Sequence, residues 1–177
     1  MPRRPWVPPP KREVPQYRPP PSGTRYFTHY WANDTWADES IQEGEPFRHA
    51  ASNLFRSRGV ASGDFVYVVT VLEGRLFLAG RIEVDRVLGQ EEAEAVVGQK
   101  PLWHAEDHVV AKPGSERPAR FDREVPLEVV KRLRFIAGDG PAVAPIFDSN
   151  GMLDPQTMRG VRELTVSSSS ELDRLMG

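Results

Sequence analysis

The sequence predicts an α+β domain, a small barrel or curved sheet with short helices packed around it. Two observations predict it. An apolar hairpin is written over residues 65–84, and the segments run strand, helix, hairpin, helix, strand, then helices. The chain has 177 residues, enough for one core without staples.

Residues 1–23 hold nine of the 17 prolines, including two Pro-Pro-Pro runs. Proline fixes φ and removes a donor, so this stretch reads as a disordered or polyproline II tail. Trp6 and Tyr17 are its possible anchors. Six basic residues against Glu13 alone give residues 1–25 a charge of +5, and the rest carries −7 of the net −2. A basic tail on an acidic body can follow a phosphate backbone loosely or simply keep the chain soluble.

The domain is expected over residues 24–177. Residues 24–31 are aromatic and β-branched and read as a strand, followed by a turn over 32–35 and an exposed acidic loop over 38–46. Residues 48–58 read as a helix, with Ala51, Leu54, Phe55 and Arg58 on one face and Gly59 as its stop. Gly63-Asp64 turns into the hairpin. Phe65, Tyr67, Val69 and Val71 alternate with Val66, Val68 and Thr70, Glu73-Gly74 reverses the chain, and Leu76, Leu78, Gly80, Ile82 and Val84 continue the alternation. Residues 90–97 read as a short helix and 107–112 as a strand. Pro126 reads as the first helical position before Leu127–Leu133, Asp154-Pro155 opens a capped short helix with proline at its first position, and 168–175 form a final amphipathic helix.

The chemical inventory is thin. There is no cysteine, which excludes disulfides and thiolate chemistry. No apolar run is long enough for a membrane span, and the N-terminus lacks the apolar region of a secretory signal, so the chain reads as cytoplasmic. No phosphate-binding glycine loop and no nucleophile elbow is present. His104 and His108 have an i, i+4 spacing that makes half a metal site on a helix. Here they read as a loop entering a strand, so no metal, cofactor or catalytic residue is expected. A hydrolase using His104, Asp107 and His108 with a metal is the least favoured reading.

The aromatic set is more suggestive. Tyr26, Phe27, Tyr30, Trp31 and Trp36 fall close together, with Asn33 between the tryptophans. Base rings stack on such side chains at about 1–3 kcal/mol each, and an amide can read a base edge. Strand alternation sends Tyr26, Thr28 and Tyr30 to one side and Phe27, His29 and Trp31 to the other, so one set is core. Asn53 sits in a partly apolar segment, where its amide either reads a ligand or caps the backbone.

Three stretches together carry a family resemblance: residues 26–36 (Tyr-Phe-Thr-His-Tyr-Trp-Ala-Asn-Asp-Thr-Trp), 47–56 (Phe-Arg-His-Ala-Ala-Ser-Asn-Leu-Phe-Arg) and 63–69 (Gly-Asp-Phe-Val-Tyr-Val-Val). With Ala79-Gly80-Arg81-Ile82-Glu83-Val84 they resemble the EVE group of the PUA-like superfamily over roughly residues 24–88. The family's Ala-Arg-Asn motif reads Ala51-Ser52-Asn53 here, and its polar turn reads Ala32-Asn33-Asp34-Thr35. The resemblance implies a PUA-like β-pseudobarrel with an aromatic pocket for a modified or flipped base in nucleic acid. Trp31 and Trp36 would then stack, Asn33 and Asn53 would read edges, and Ser52 would stand at the motif's ligand-facing position. Arg48, Arg56 and Arg58 would meet the phosphate backbone. The competing expectation is a protein-interaction or scaffolding module, possibly a homodimer. The sequence leaves the oligomeric state open.

Overall fold

The computed structural model describes residues 23–98 and 102–177. The proline-rich tail, apart from Gly23, lies outside the described residues. Six strands form one sheet: β1 (Tyr26–Tyr30), β2 (His49–Ser52), β3 (Phe65–Leu72), β4 (Arg75–Leu88), β5 (Asp107–Ala111) and β6 (Val161–Leu164). Their spatial order is β2-β5-β4-β3-β1-β6. Among the described residues the outer strands β2 and β6 do not pair, so the sheet is open. The expected barrel closure is therefore corrected: the described residues form an α+β fold with a six-stranded sheet and four helices.

Strand β1 runs parallel to β3, and the other neighbours are antiparallel. The β3–β4 hairpin turns through Glu73 (φ 50) and Gly74 (φ 72). Two left-handed residues make the turn whose twist matches the flanking strands. Valine and aromatic residues give β3 two apolar faces, and both are buried. Tyr67, Val69 and Val71 join one core cluster, while Val66 and Val68 join the other.

The simple alternation expected for β4 breaks at a bulge. Val68 pairs with Gly80 and Val69 with Leu78, so Ala79 is the extra residue. Leu76 and Leu78 consequently face the same core as Tyr67, whereas Ala79, Ile82 and Val84 face the opposite one. A second irregularity, between Val84 and Arg86, lets the end of β4 pair with β5.

Two further expectations are corrected. Residues 32–35 are not a turn but lead into helix α1 (Asn33–Glu39), which a short 3-10 turn at Ser40–Gln42 extends. Residues 48–58 are not a helix. They supply β2, paired with β5 from His49↔Val110 to Ser52↔Asp107, and then a tight turn ending at Gly59 (φ 80). Helix propensity is a weak prior, and β5 offers an unpaired edge that this short segment satisfies. Phe47 and Phe55 flank the strand as buried anchors, 6% and 0% exposed.

Helices α2 (Gln90–Val97), α3 (Leu127–Arg132) and α4 (Val166–Met176) fall close to their expected positions. Pro126 is the N-cap of α3 rather than its first residue. Thr165 caps α4 by accepting from the Ser168 amide. Asp154 caps the 3-10 turn Pro155–Met158, likewise with its side chain. Leu133, Met158 and Leu172 belong to the core cluster on the Tyr67 face. The other face carries Phe27, Trp31, Trp36, Phe47, Phe55 and Phe121. Among the described residues, no helix is long and apolar enough to cross a membrane.

Candidate functional site

Strand β1 is the origin of the site. Its alternation sends Phe27 and Trp31 into the second cluster and leaves Tyr26 and Tyr30 against the first. Beyond Trp31 the chain enters α1, held by the Thr70 hydroxyl donating to the Trp31 carbonyl at 2.7 Å. On this side of the sheet lies a cavity of about 890 Å³, within the usual range for a small-molecule site.

Its buried lining includes His29, Trp31, Phe47, Ala50 and Phe121. The rings pack on one another, with Trp31 against Phe121 at 6.4 Å between centroids and against Phe47 at 5.8 Å. Half-buried His49 and Ser52 also line the cavity. Exposed Arg48, Asn53, Trp103 and His104 stand at its mouth. Across that mouth the Trp103 indole N–H donates to Glu39 Oε1 at 2.7 Å.

The residues expected at the site are thus partly brought together. Trp31, Ser52, Asn53 and Arg48 line one cavity. Asn33 and Trp36 lie outside its lining. Asn33 is exposed on α1, with its Oδ1 3.2 Å from the Thr70 hydroxyl. Trp36 is 4% exposed and packs edge-on against Trp31 and Phe121, so it supports the wall from behind. Arg56 is committed elsewhere: its amide and its guanidinium both engage Asp107, at 2.9 and 3.3 Å. Arg58 is exposed on the same turn and outside the lining. The mouth is mixed in charge, since Glu39 and Glu45 accompany Arg48.

Asn53 is oriented by an obligate donor. The Glu106 amide donates to Asn53 Oδ1 at 2.9 Å. The carboxamide oxygen is therefore occupied, and its NH2 group is left to donate outward. Ser52 spends its hydroxyl oxygen as an acceptor for the Leu54 amide at 3.1 Å.

His29 and His49 line the cavity, and His108 stands behind His49. His29, on β1, is buried with both ring nitrogens sealed and, among the described residues, without a hydrogen-bond partner. Burial holds its pKa down at about 4, and the nearby Ala51 backbone opposes that only in part. Its ring is edge-on to Phe55 at 5.0 Å. His49, on β2, is likewise lowered to about 4, first by burial and then by His108 and His29. Its Nε2 is 2.7 Å from Nδ1 of His108 on β5. His108 is therefore bonded into the protein rather than displayed beside His104 as a metal ligand pair. All three imidazoles are neutral at pH 7.

Most of the wall carries no local signal in the sequence. Phe47, Phe121 and Trp103 are far apart in the chain, and His49 was hidden by the helix expected over 48–58. The alternation of β1 did carry a signal for His29, which shares a face with Trp31.

No family model matches the chain, and no curated protein matches it either. Among solved structures it is similar to the YTH domain of the Zygosaccharomyces rouxii MRB1 protein, determined in complex with N6-methyladenosine RNA. The identity is 13% and the TM-score 0.45, over 92% of this chain and 93% of that one. A likeness this shallow assigns no ligand.

Proposed function

We propose that the protein is a non-catalytic reader that takes an unpaired or flipped nucleobase, modified or not, into the cavity beside Trp31. The observation that carries this reading is the shared lining. One concave, ring-walled space holds Trp31, Ser52 and Asn53, with two neutral imidazoles at its inner end. Such a space suits a flat heterocycle with a polar edge. Apolar walls exclude water, while a few polar groups set orientation. Asn53 supplies a donor whose orientation is already set, so little side-chain entropy is lost on binding.

Arg48 is the one arginine of the three expected backbone contacts that borders the cavity, and it is the candidate phosphate contact. The remaining net positive charge is confined to residues 1–25, which carry +5 against −7 for the rest of the chain. Binding to an oligonucleotide should therefore show only a shallow dependence on salt, about one counterion per phosphate neutralised.

The test is equilibrium binding of a panel of plain and modified nucleosides and short single strands to the wild type and to Trp31→Leu, with circular dichroism confirming the fold. The reading expects at least one nucleoside or strand to bind, and its affinity to fall about tenfold or more in the variant, as loss of one stacking partner implies. Undiminished binding to a folded Trp31→Leu protein contradicts the pocket assignment, and absence of any binding contradicts the function.

A further inference from the structure

The polar chain behind the cavity settles which nitrogen of His49 carries its proton. Gln90, at the start of α2, accepts at Oε1 from the Ala105 amide at 3.1 Å. Its Nε2 donates to Glu94 Oε1 at 2.7 Å and to the Leu102 carbonyl at 3.3 Å. Amide N–H groups only donate and carbonyls only accept, so the orientation of Gln90 is unambiguous.

His108 Nε2 lies 2.7 Å from that same Gln90 Oε1 and 3.2 Å from the Ala105 carbonyl. Both neighbours are acceptors, so Nε2 of His108 carries the proton. A neutral imidazole has one N–H and one lone pair. Nδ1 of His108 is therefore bare and accepts the contact from His49 Nε2 at 2.7 Å. The same rule then leaves Nδ1 of His49 as a lone pair. Among the described residues no group donates to it, and unlike the His29 nitrogens it is not sealed from solvent. His49 itself lines the cavity.

We infer that the Gln90–His108–His49 chain locks His49 as a hydrogen-bond acceptor inside the cavity, and that the bound base must present an N–H to it. This rests on the nucleobase reading above and deepens it by naming what the base must carry. His49 is the contact residue, while His108 and Gln90 are positioning residues that act through it. Burial of the imidazole against His108 and His29 keeps it from gaining a second proton and becoming a donor at neutral pH.

The consequence is a preference that stacking alone cannot give. A base whose edge N–H has been replaced by a methyl group keeps its ring but leaves the buried lone pair unpaired. That costs affinity about tenfold, in the lower half of the range for a lost buried partner.

Two measurements test it on the full chain. Long-range proton–nitrogen NMR of the free protein reads the tautomer directly, and the expected form is Nε2–H on both His49 and His108. Binding is then compared for three nucleoside pairs: adenosine with N6,N6-dimethyladenosine, cytidine with N4,N4-dimethylcytidine, and uridine with N3-methyluridine. The member retaining its N–H is expected to bind about tenfold better, and the difference is expected to collapse in His49→Phe.

An Nδ1–H or doubly protonated His49 at pH 7 overturns the inference without reference to any ligand. The expected tautomer with equal affinities within the pairs overturns the acceptor role and leaves the pocket standing. Binding of none of the nucleosides removes both.

Discussion

His49 and His108 lie with their rings nearly parallel, at 16° and 5.0 Å between centroids, joined by one 2.7 Å nitrogen–nitrogen contact. That contact ties the first and second strands of the sheet order, β2 and β5, through side chains as well as through the ladder. A third imidazole, His29, lines the same cavity and lowers the His49 pKa further. The site therefore has a pH dependence with a definite sign.

Stability should fall as the solution is acidified. The unfolded chain takes up a proton on His29 near the ordinary 6.5, whereas the folded chain does so only at about 4. The unfolded state therefore binds more protons between these values. The contribution is fully present above pH 6.5 and is lost as pH falls towards 4. For His29 alone that difference corresponds to roughly 3 kcal/mol. Urea denaturation at pH 7, 5.5 and 4.5 measures it. His29→Leu, which removes two unpaired buried nitrogens, is expected to flatten the slope and leave stability at pH 7 equal or higher. An unchanged slope in that variant rejects His29 as its source.

Asn53→Asp separates the binding role of the side chain from its structural one. A carboxylate still accepts from the Glu106 amide, so the loop contact at 2.9 Å survives. The outward donor is lost. Affinity for the bound base should drop about tenfold, with a melting temperature close to that of the wild type. Calorimetric titration against thermal melting checks both halves. Equal affinity excludes Asn53 as a donor to the ligand.

Gly74→Ala probes the hairpin. At φ 72 an L side chain is strained, and an added Cβ would stand 2.6 Å from Met152 Cβ. Because that neighbour is the root of a side chain, it cannot swing aside. A loss of about 1–3 kcal/mol is expected from the strain and the forced shift, read by denaturant unfolding. Stability within a few tenths of the wild type rejects the turn geometry.

Asp64→Ala tests the joint between β1 and β3. The Asp64 carboxylate accepts from the amides of Arg25 at 3.0 Å and Ala61 at 2.9 Å. Removing it strands two partly buried donors, for an expected loss of about 1–3 kcal/mol. Chemical denaturation with an unaltered midpoint contradicts this.

What could be read from the chain follows from how local each signal was. The β3–β4 hairpin was legible because its alternation, turn residues and length agree within some twenty positions. The short helix over 90–97 was equally local. Strand β2 was not legible: Ala50, Ala51 and Ser52 carry no strand preference, and only the edge of β5, 59 positions on at the His49–His108 contact, makes them one. Strand β6 was missed for the same reason, since Val161–Leu164 acquires its identity from β1. At the site, the Trp31 and Asn53 placements came from local pattern and resemblance. The exclusion of Trp36 did not, because residues 33–39 form a helix that turns that ring inward onto Phe121.

The central claim is that a flat base occupies the space beside Trp31, and the four indole N–H signals of the chain test it most directly. In a proton–nitrogen NMR titration with the tightest-binding nucleoside, the account predicts that Trp31 and Trp103, which line the cavity, shift and saturate together, while Trp36, behind the wall, stays in place. Saturation with Trp31 and Trp103 unmoved, or with movement confined to Trp36 or Trp6, contradicts it.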